Sequence, residues 1–359
     1  MSWPPEPRSL GERLDVVGVG EVMLLLQATP PRTVADAETM LVDVAGAEYN
    51  LCAAVARLGG RAALLTRLGA DSPADRIRRA MADLHIDDAL VATDPGRPTG
   101  LLLREVPPDG ARRVTYYRSG SAASAMTTTD AARVWDEPPR AVVLSGLTAA
   151  LGAGPRDLVT ALAARAADHG TSVVVDVNLR PGFGDLDAVV ATLGEILPRT
   201  DLLVLGDDES EPVLGATEPA AVFAAARDRG VGEVVLKGGE RGCWYPGPEG
   251  APVHLASRAT RVVDPVGGGD AFLGGYLAAR LTGASPRAAA ELGSDLAAGV
   301  IGAFGDTQGL PDARDAVRWV RGADLLTSTP IPRRKAESWR ADIAAAVDDD
   351  VPTDPWERA

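Results

Sequence analysis

From residue 141 onward the chain alternates short apolar runs with stretches of helical spacing, and this alternation restricts the fold more than any other feature. Ala141–Leu144, Ser172–Asp176, Leu202–Leu205 and Glu233–Lys237 read as strands. The segments near 155–168, 187–196 and 219–229 read as helices between them. Repeated βαβ units predict an α/β fold: a doubly wound, mostly parallel sheet with helices on both faces. In such sheets ligands bind at the carboxyl ends of the strands. Upstream, Leu14–Gly18, Val22–Leu26 and Arg61–Thr66 also read as strands. A helix over 47–59 carries Leu51, Ala54, Val55 and Leu58 at helical spacing and stops at Gly59-Gly60, and Pro73–Leu84 is a second helix.

The pattern breaks between about 90 and 120. Thr99–Val106 and Arg113–Arg118 look like strands with no helix between them, joined by the turn signal Pro107-Pro108-Asp109-Gly110. That predicts an antiparallel hairpin serving as a lid or edge sheet. Residues 1–13 read as a loose tail and 326–359 as an appendage without chemistry. The span 14–325 reads as one domain, with lid strands within about 32–46 and 97–120.

Charge narrows the class of partner. With 36 Lys and Arg against 50 Asp and Glu, the chain carries −14. Nucleic acid is therefore not expected, and an anionic substrate needs a local basic pocket. Cys52 and Cys243 lie far apart, fit a reducing compartment and belong to no zinc-binding pattern. No secretory leader or membrane-spanning run of about 18 apolar residues is present, so a cytoplasmic protein with no membrane partner is expected.

The densest chemical signal is Asp264-Pro265-Val266-Gly267-Gly268-Gly269-Asp270. Arg261–Val263 reads as a short strand before it, and an apolar helix begins at Ala271. Glycines let backbone N–H groups converge on an anion, and a helix N-terminus adds about half a positive charge. Asp270 stands where a carboxylate accepts the proton of an attacking hydroxyl. The spacing alone equally allows a plain turn with Asp270 stabilising a helix start. No Lys-Ser/Thr follows, so this is not a Walker A loop, and Gly18-Val19-Gly20 lacks the third glycine of a dinucleotide fingerprint.

Asp264–Gly275 resembles the C-terminal signature of the PfkB, or ribokinase-like, carbohydrate kinases, usually Asp-Thr-x-Gly-Ala-Gly-Asp, with Pro265 and Gly268 as departures. Ala45-Gly46-Ala47-Glu48-Tyr49-Asn50-Leu51 through Gly59 resembles the family's second signature. The resemblance covers roughly 14–325. It implies a ribokinase-like sheet with a small β-lid that often makes a homodimer contact. It implies ATP as phosphoryl donor, Asp270 as base and an anion hole of Gly267, Gly268 and Gly269. It puts the sugar against Gly46, Ala47 and Asn50. Lys237-Gly238-Gly239-Glu240-Arg241-Gly242 resembles the family's nucleotide turn, with Lys237, Gly239, Gly242, Gly267 and Gly269 about the ATP. Leu205-Gly206-Asp207-Asp208-Glu209 matches the family's Mg²⁺-linked Asn-x-x-Glu in part, keeping Glu209 but replacing Asn by Gly206. Asp264 and Val266 match one side of a monovalent-cation (K⁺) site.

Within the family the chain is most similar to 2-keto-3-deoxygluconate kinases. The resemblance lies in Glu21 after Gly20, in Tyr116-Tyr117-Arg118-Ser119-Gly120-Ser121-Ala122, in Asp176-Val177-Asn178-Leu179-Arg180 and in Gly305-Asp306-Thr307-Gln308-Gly309-Leu310-Pro311. It implies that Tyr116, Arg118, Asn178 and Arg180 read a sugar or sugar acid, whose carboxylate a guanidinium fork matches. Leu101-Leu102-Leu103 departs from it, where related kinases often place an aromatic residue. A neutral-sugar kinase and a non-catalytic sugar or nucleotide sensor on the same fold are the alternatives.

Overall fold

The computed structural model describes residues 13–28, 33–107, 113–180 and 182–311. Residues 1–12 of the proposed tail, the C-terminal appendage and residues 108–110 of the hairpin turn lie outside the described residues. In chain order the first elements are β1 (Val16–Val19), β2 (Met23–Ala28), β3 (Met40–Ala45), α1 (Ala47–Arg57), β4 (Ala62–Gly69) and α2 (Ser72–Asp83). Then come β5 (Val91–Asp94), β6 (Leu101–Glu105), β7 (Arg113–Tyr117), β8 (Ala141–Ser145), α3 (Gly146–Ala149), α4 (Ala153–Ala166), β9 (Ser172–Asp176) and α5 (Leu186–Ile196). The chain continues through β10 (Leu202–Gly206), α6 (Asp207–Leu214), α7 (Pro219–Asp228), β11 (Glu233–Lys237), β12 (Cys243–Pro246), β13 (Pro252–Leu255), α8 (Gly268–Leu281) and α9 (Pro286–Ile301).

The main sheet has nine strands in the order β13-β12-β11-β10-β9-β8-β1-β4-β5. It is parallel from β11 to β5, with β12 and β13 added as an antiparallel edge hairpin. Successive strand residues alternate between two cores, as a period of two requires. Val16, Val143, Val174 and Leu202 pack with α1, α2, α8 and α9 on one face. Val17, Val142, Val173 and Leu203 pack with α4, α5 and α7 on the other. Strands buried on both faces read as continuous apolar runs, which is why the sequence exposed them. Among the described residues no helix is long and apolar enough to cross a membrane, and both cysteines are free and buried.

One expected strand is absent. Arg261–Val263 joins no sheet; Val263 and Asp264 N–H both donate to the Ile301 carbonyl at the end of α9, and Val262 is 56% exposed. The β-branched pair imitates a strand while the backbone bonds to a helix end instead.

The lid is a separate sheet, β3-β2-β6-β7, with β6 and β7 antiparallel as expected. Its register sorts the leucine run. Leu25 and Leu102 are paired on the inner face, where both are buried. Leu24, Leu26, Leu101 and Leu103 fall on the outer face with Val42 and Tyr117, half-buried or exposed. Arg104 shares the inner face and is 2% exposed.

Candidate active site

The polar residues that close the parallel strands converge with the starts of α1 and α8. The two helices touch through small residues: a Cβ on Gly274 would lie 2.5 Å from that of Ala54 and 3.0 Å from the Leu51 carbonyl. This approach brings Asn50 against Asp270, whose Oδ2 accepts a 2.8 Å hydrogen bond from Asn50 Nδ2. Asn50 is 3% exposed, and its Oδ1 accepts no hydrogen bond among the described residues. A buried amide carbonyl in that condition is suited to a ligand hydroxyl.

Gly267 caps α8 at φ 78°, a left-handed conformation that β-carbon sterics disfavour. A Cβ there would also lie 2.5 Å from the Asp306 carbonyl. The first-turn amides of Gly268, Gly269 and Asp270 therefore open α8 with no intrahelical acceptor, as an anion site requires.

Asp270 sits half-buried in the first turn of α8, as the sequence predicts. Burial lifts its carboxyl to about 7; the Asn50 bond opposes the rise and the charge of Asp176 adds to it. A carboxylate poised near neutrality is matched to proton transfer.

Lys237 ends β11. Its Nζ donates to Asp176 Oδ1 at 3.0 Å and stands 3.5 Å from where a Gly269 Cβ would be. Burial alone would lower its pKa, but Asp176 and Glu209 hold it above the ordinary lysine value. A charged lysine thus faces the glycine turn where phosphate oxygens would lie. Gly239 and Gly242 lie in the turn after β11, closed by Gly238 N–H to the Gly242 carbonyl at 2.8 Å. Gly242 also backs directly onto β13, where a Cβ would meet the Leu255 carbonyl.

At the start of α1, Gly46 lies against Glu21, where a Cβ would come within 2.6 Å of the Glu21 carbonyl, and Ala47 opens α1 beside it. Arg118 Nε is 2.5 Å from Glu21 Oε2. The Arg118 guanidinium also lies 4.0 Å from the Phe183 ring centroid and 5.6 Å from that of Tyr116. Arg118 is therefore a buried, stacked and already paired charge rather than a free fork. Arg180 is exposed, and its charge lowers the Asp270 pKa. Asn178 is buried at φ 39°, a left-handed turn that Asn tolerates best among non-glycine residues.

Phe183 and Asp176 escaped the sequence reading as site residues. Phe183 lies between Gly182 and Gly184 and packs 5.7 Å from Tyr116, bridging the β9–α5 loop to the lid. An aromatic flanked by two glycines just after the Asp-x-Asn-x-Arg segment was the available signal.

For Mg²⁺ the fit is indirect. Glu209 accepts N–H bonds from Leu179 at 2.8 Å and Gly206 at 2.6 Å, so it clamps backbone with both oxygens. Among the described residues no group of three or more His, Cys, Asp or Glu is arranged to hold a metal ion. Mg²⁺ bound chiefly by phosphates and waters needs no such cage, and Glu209 beside Asp176 and Lys237 fits that arrangement. The monovalent cation fits poorly. Asp264 Oδ1 accepts the Val266 N–H at 3.0 Å, and Arg104 Nη1 lies 3.9 Å from Asp264 Oδ2. A second cation there would face a buried guanidinium.

The sequence pattern of the pfkB family of carbohydrate kinases matches residues 13–313. A 2-dehydro-3-deoxygluconokinase from Thermoproteus tenax is 31% identical over 307 residues, 84% of this chain and 93% of that protein. One from Bacillus subtilis is 29% identical over 301 residues, 83% of this chain and 93% of that protein. Among solved structures, a PfkB protein from Polaromonas sp. JS666 superimposes with a TM-score of 0.74 at 31% identity, covering 84% of this chain and 98% of its own.

Proposed function

Because the chain belongs to the pfkB family of carbohydrate kinases, we propose that it transfers the γ-phosphoryl group of ATP to a primary hydroxyl of 2-keto-3-deoxygluconate. That acid is the 2-dehydro-3-deoxygluconate of the relatives' names. The observation that carries the mechanism is Asp270, lifted to about 7, held by Asn50 at the glycine-capped start of α8. Asp270 takes the hydroxyl proton as that oxygen attacks the γ-phosphorus, and the bond to ADP breaks. The amides of Gly267, Gly268 and Gly269 and the charge of Lys237 offset the negative charge that develops on the phosphoryl oxygens. Mg²⁺, when bound with the nucleotide near Glu209, supplies further charge neutralisation.

Asn50 Oδ1, Asn178 and the Gly46-Ala47 turn support the sugar hydroxyls in this reading, while Arg180, Arg118 and Tyr116 face its acid end. Phe183 supplies the aromatic surface that Leu101-Leu102-Leu103 lacks. One observation favours a second reading, a neutral-sugar kinase. Glu21 already balances Arg118, so Arg180 alone would carry the excess positive charge toward a carboxylate. The outer face of the lid, with Leu24, Leu26, Val42, Leu101, Leu103 and Tyr117, is apolar enough for a second copy of the chain, and we read it as a homodimer contact.

ADP release over a panel of sugar acids and neutral sugars tests the function. The expected result is turnover on the acid, cut about 10²- to 10⁴-fold by Asp270→Asn. Arg118→Ala and Arg180→Ala should cost more on the acid than on its neutral analogue. Near-wild-type turnover in Asp270→Asn would sink the mechanism, and preference for a neutral sugar would decide for the second reading.

A further inference from the structure

Arg104 plays no part in the chemistry above, yet it is a charged side chain with 2% exposure. It projects from the inner face of the lid strand β6. Its guanidinium makes two bonds to Asp306, Nη1 to Oδ1 at 2.5 Å and Nη2 to Oδ2 at 3.0 Å, and lies 3.9 Å from Asp264. Asp306 follows α9, and its backbone is the surface against which Gly267 packs without a side chain. A second tie runs from Gln308 Nε2 to Asp43 Oδ2 on β3. Two lid strands therefore grip the turn that backs the glycine-rich anion site. Buried charges persist only when paired, and a guanidinium fork fixes orientation as well as charge.

We infer that Arg104 is a positioning residue that locks the lid to the anion hole through Asp306 and Asp264, so that the lid strands hold Gly267–Asp270 in the arrangement the proposed chemistry uses. This rests on the phosphoryl-transfer reading of that turn. Hydrogen exchange of the full chain, without sugar or nucleotide, tests it independently of turnover. Arg104→Met should raise exchange in 264–273 and in 101–105 together, by about tenfold or more, and Arg104→Lys should recover part of the protection. Asp306→Asn should reproduce the effect and add less than its full amount to Arg104→Met. On the sugar that the wild type turns over best, kcat should fall about 30-fold while KM stays within about threefold. A role in stability alone would raise exchange throughout the chain and leave kcat per folded molecule unchanged. Unchanged exchange at 264–273 in a soluble Arg104→Lys or Asp306→Asn overturns the inference, even if Arg104→Met fails to fold. A wild type that turns over no sugar counts against the kinase reading, and the exchange result still decides the coupling.

Discussion

Asn50→Ala removes the hydrogen bond that favours the ionised form of Asp270. A hydrogen bond to a charged group contributes about 1.5–3 kcal/mol, and about 1.4 kcal/mol moves a pKa by one unit. Loss of this bond should therefore raise Asp270 from about 7 by roughly one to two units, the lower figure applying if water fills the space left by the amide. The sign follows from the chemistry: the base acts only when ionised, so kcat/KM falls about tenfold per unit below its pKa. Wild type should show an acid limb centred near 7, and the variant one near 8 or above. If Asn50 Oδ1 takes a sugar hydroxyl as proposed, the variant should also lose affinity at every pH. The measurement is kcat/KM by coupled ADP release from about pH 5.5 to 9.5, with free-enzyme groups reported by that ratio. A limb at the same pH in both proteins, with only a uniform loss of rate, would refute the reasoning: Asn50 would then bind substrate without tuning the base.

Two further outcomes follow from the structure. Because the folded pKa of Asp270 lies above its ordinary 3.8, the folded state favours the protonated form, so the contribution of Asp270 to stability is fully present below about pH 4 and is lost as pH rises through about 7. Asp270→Asn removes that penalty and should stabilise the fold by up to about 4 kcal/mol at pH 8, with the gap closing toward pH 4, in urea midpoints at each pH; destabilisation at pH 8 would contradict it. In light scattering the chain should have about twice its 37.1 kDa mass, and Leu103→Asp on the outer lid face should return it to one; a monomeric wild type ends the dimer proposal.

What could be read in advance was what depends on local pattern. Doubly buried strands such as Val173–Val175 announce themselves by composition, and the glycine turn with Asp270 announces a helix N-terminus. What escaped depends on contacts between distant segments. Arg118 looked like a free cation because nothing in its neighbourhood reveals Glu21 nearly a hundred residues earlier. Arg104 is one polar residue in a lid strand, and only the register of β6 turns it inward toward Asp306. Arg261–Val263 misled in the opposite sense: its strand-like side chains say nothing of a backbone that bonds to Ile301.

The contact between α1 and α8 has a consequence for how the protein is made. Asn50 and Asp270 are 220 positions apart, and the helix face carrying Leu51 and Ala54 has no cover until α8 has been synthesised. At about 5–20 residues per second that interval is roughly 10–40 seconds. The strands β4, β5 and β8 can meanwhile add on either side of β1, but the site itself stays divided between two segments 220 residues apart. In the proposed mechanism the site is complete only once α8 has joined α1, and the bare α1 face is a surface that a ribosome-associated chaperone has time to engage.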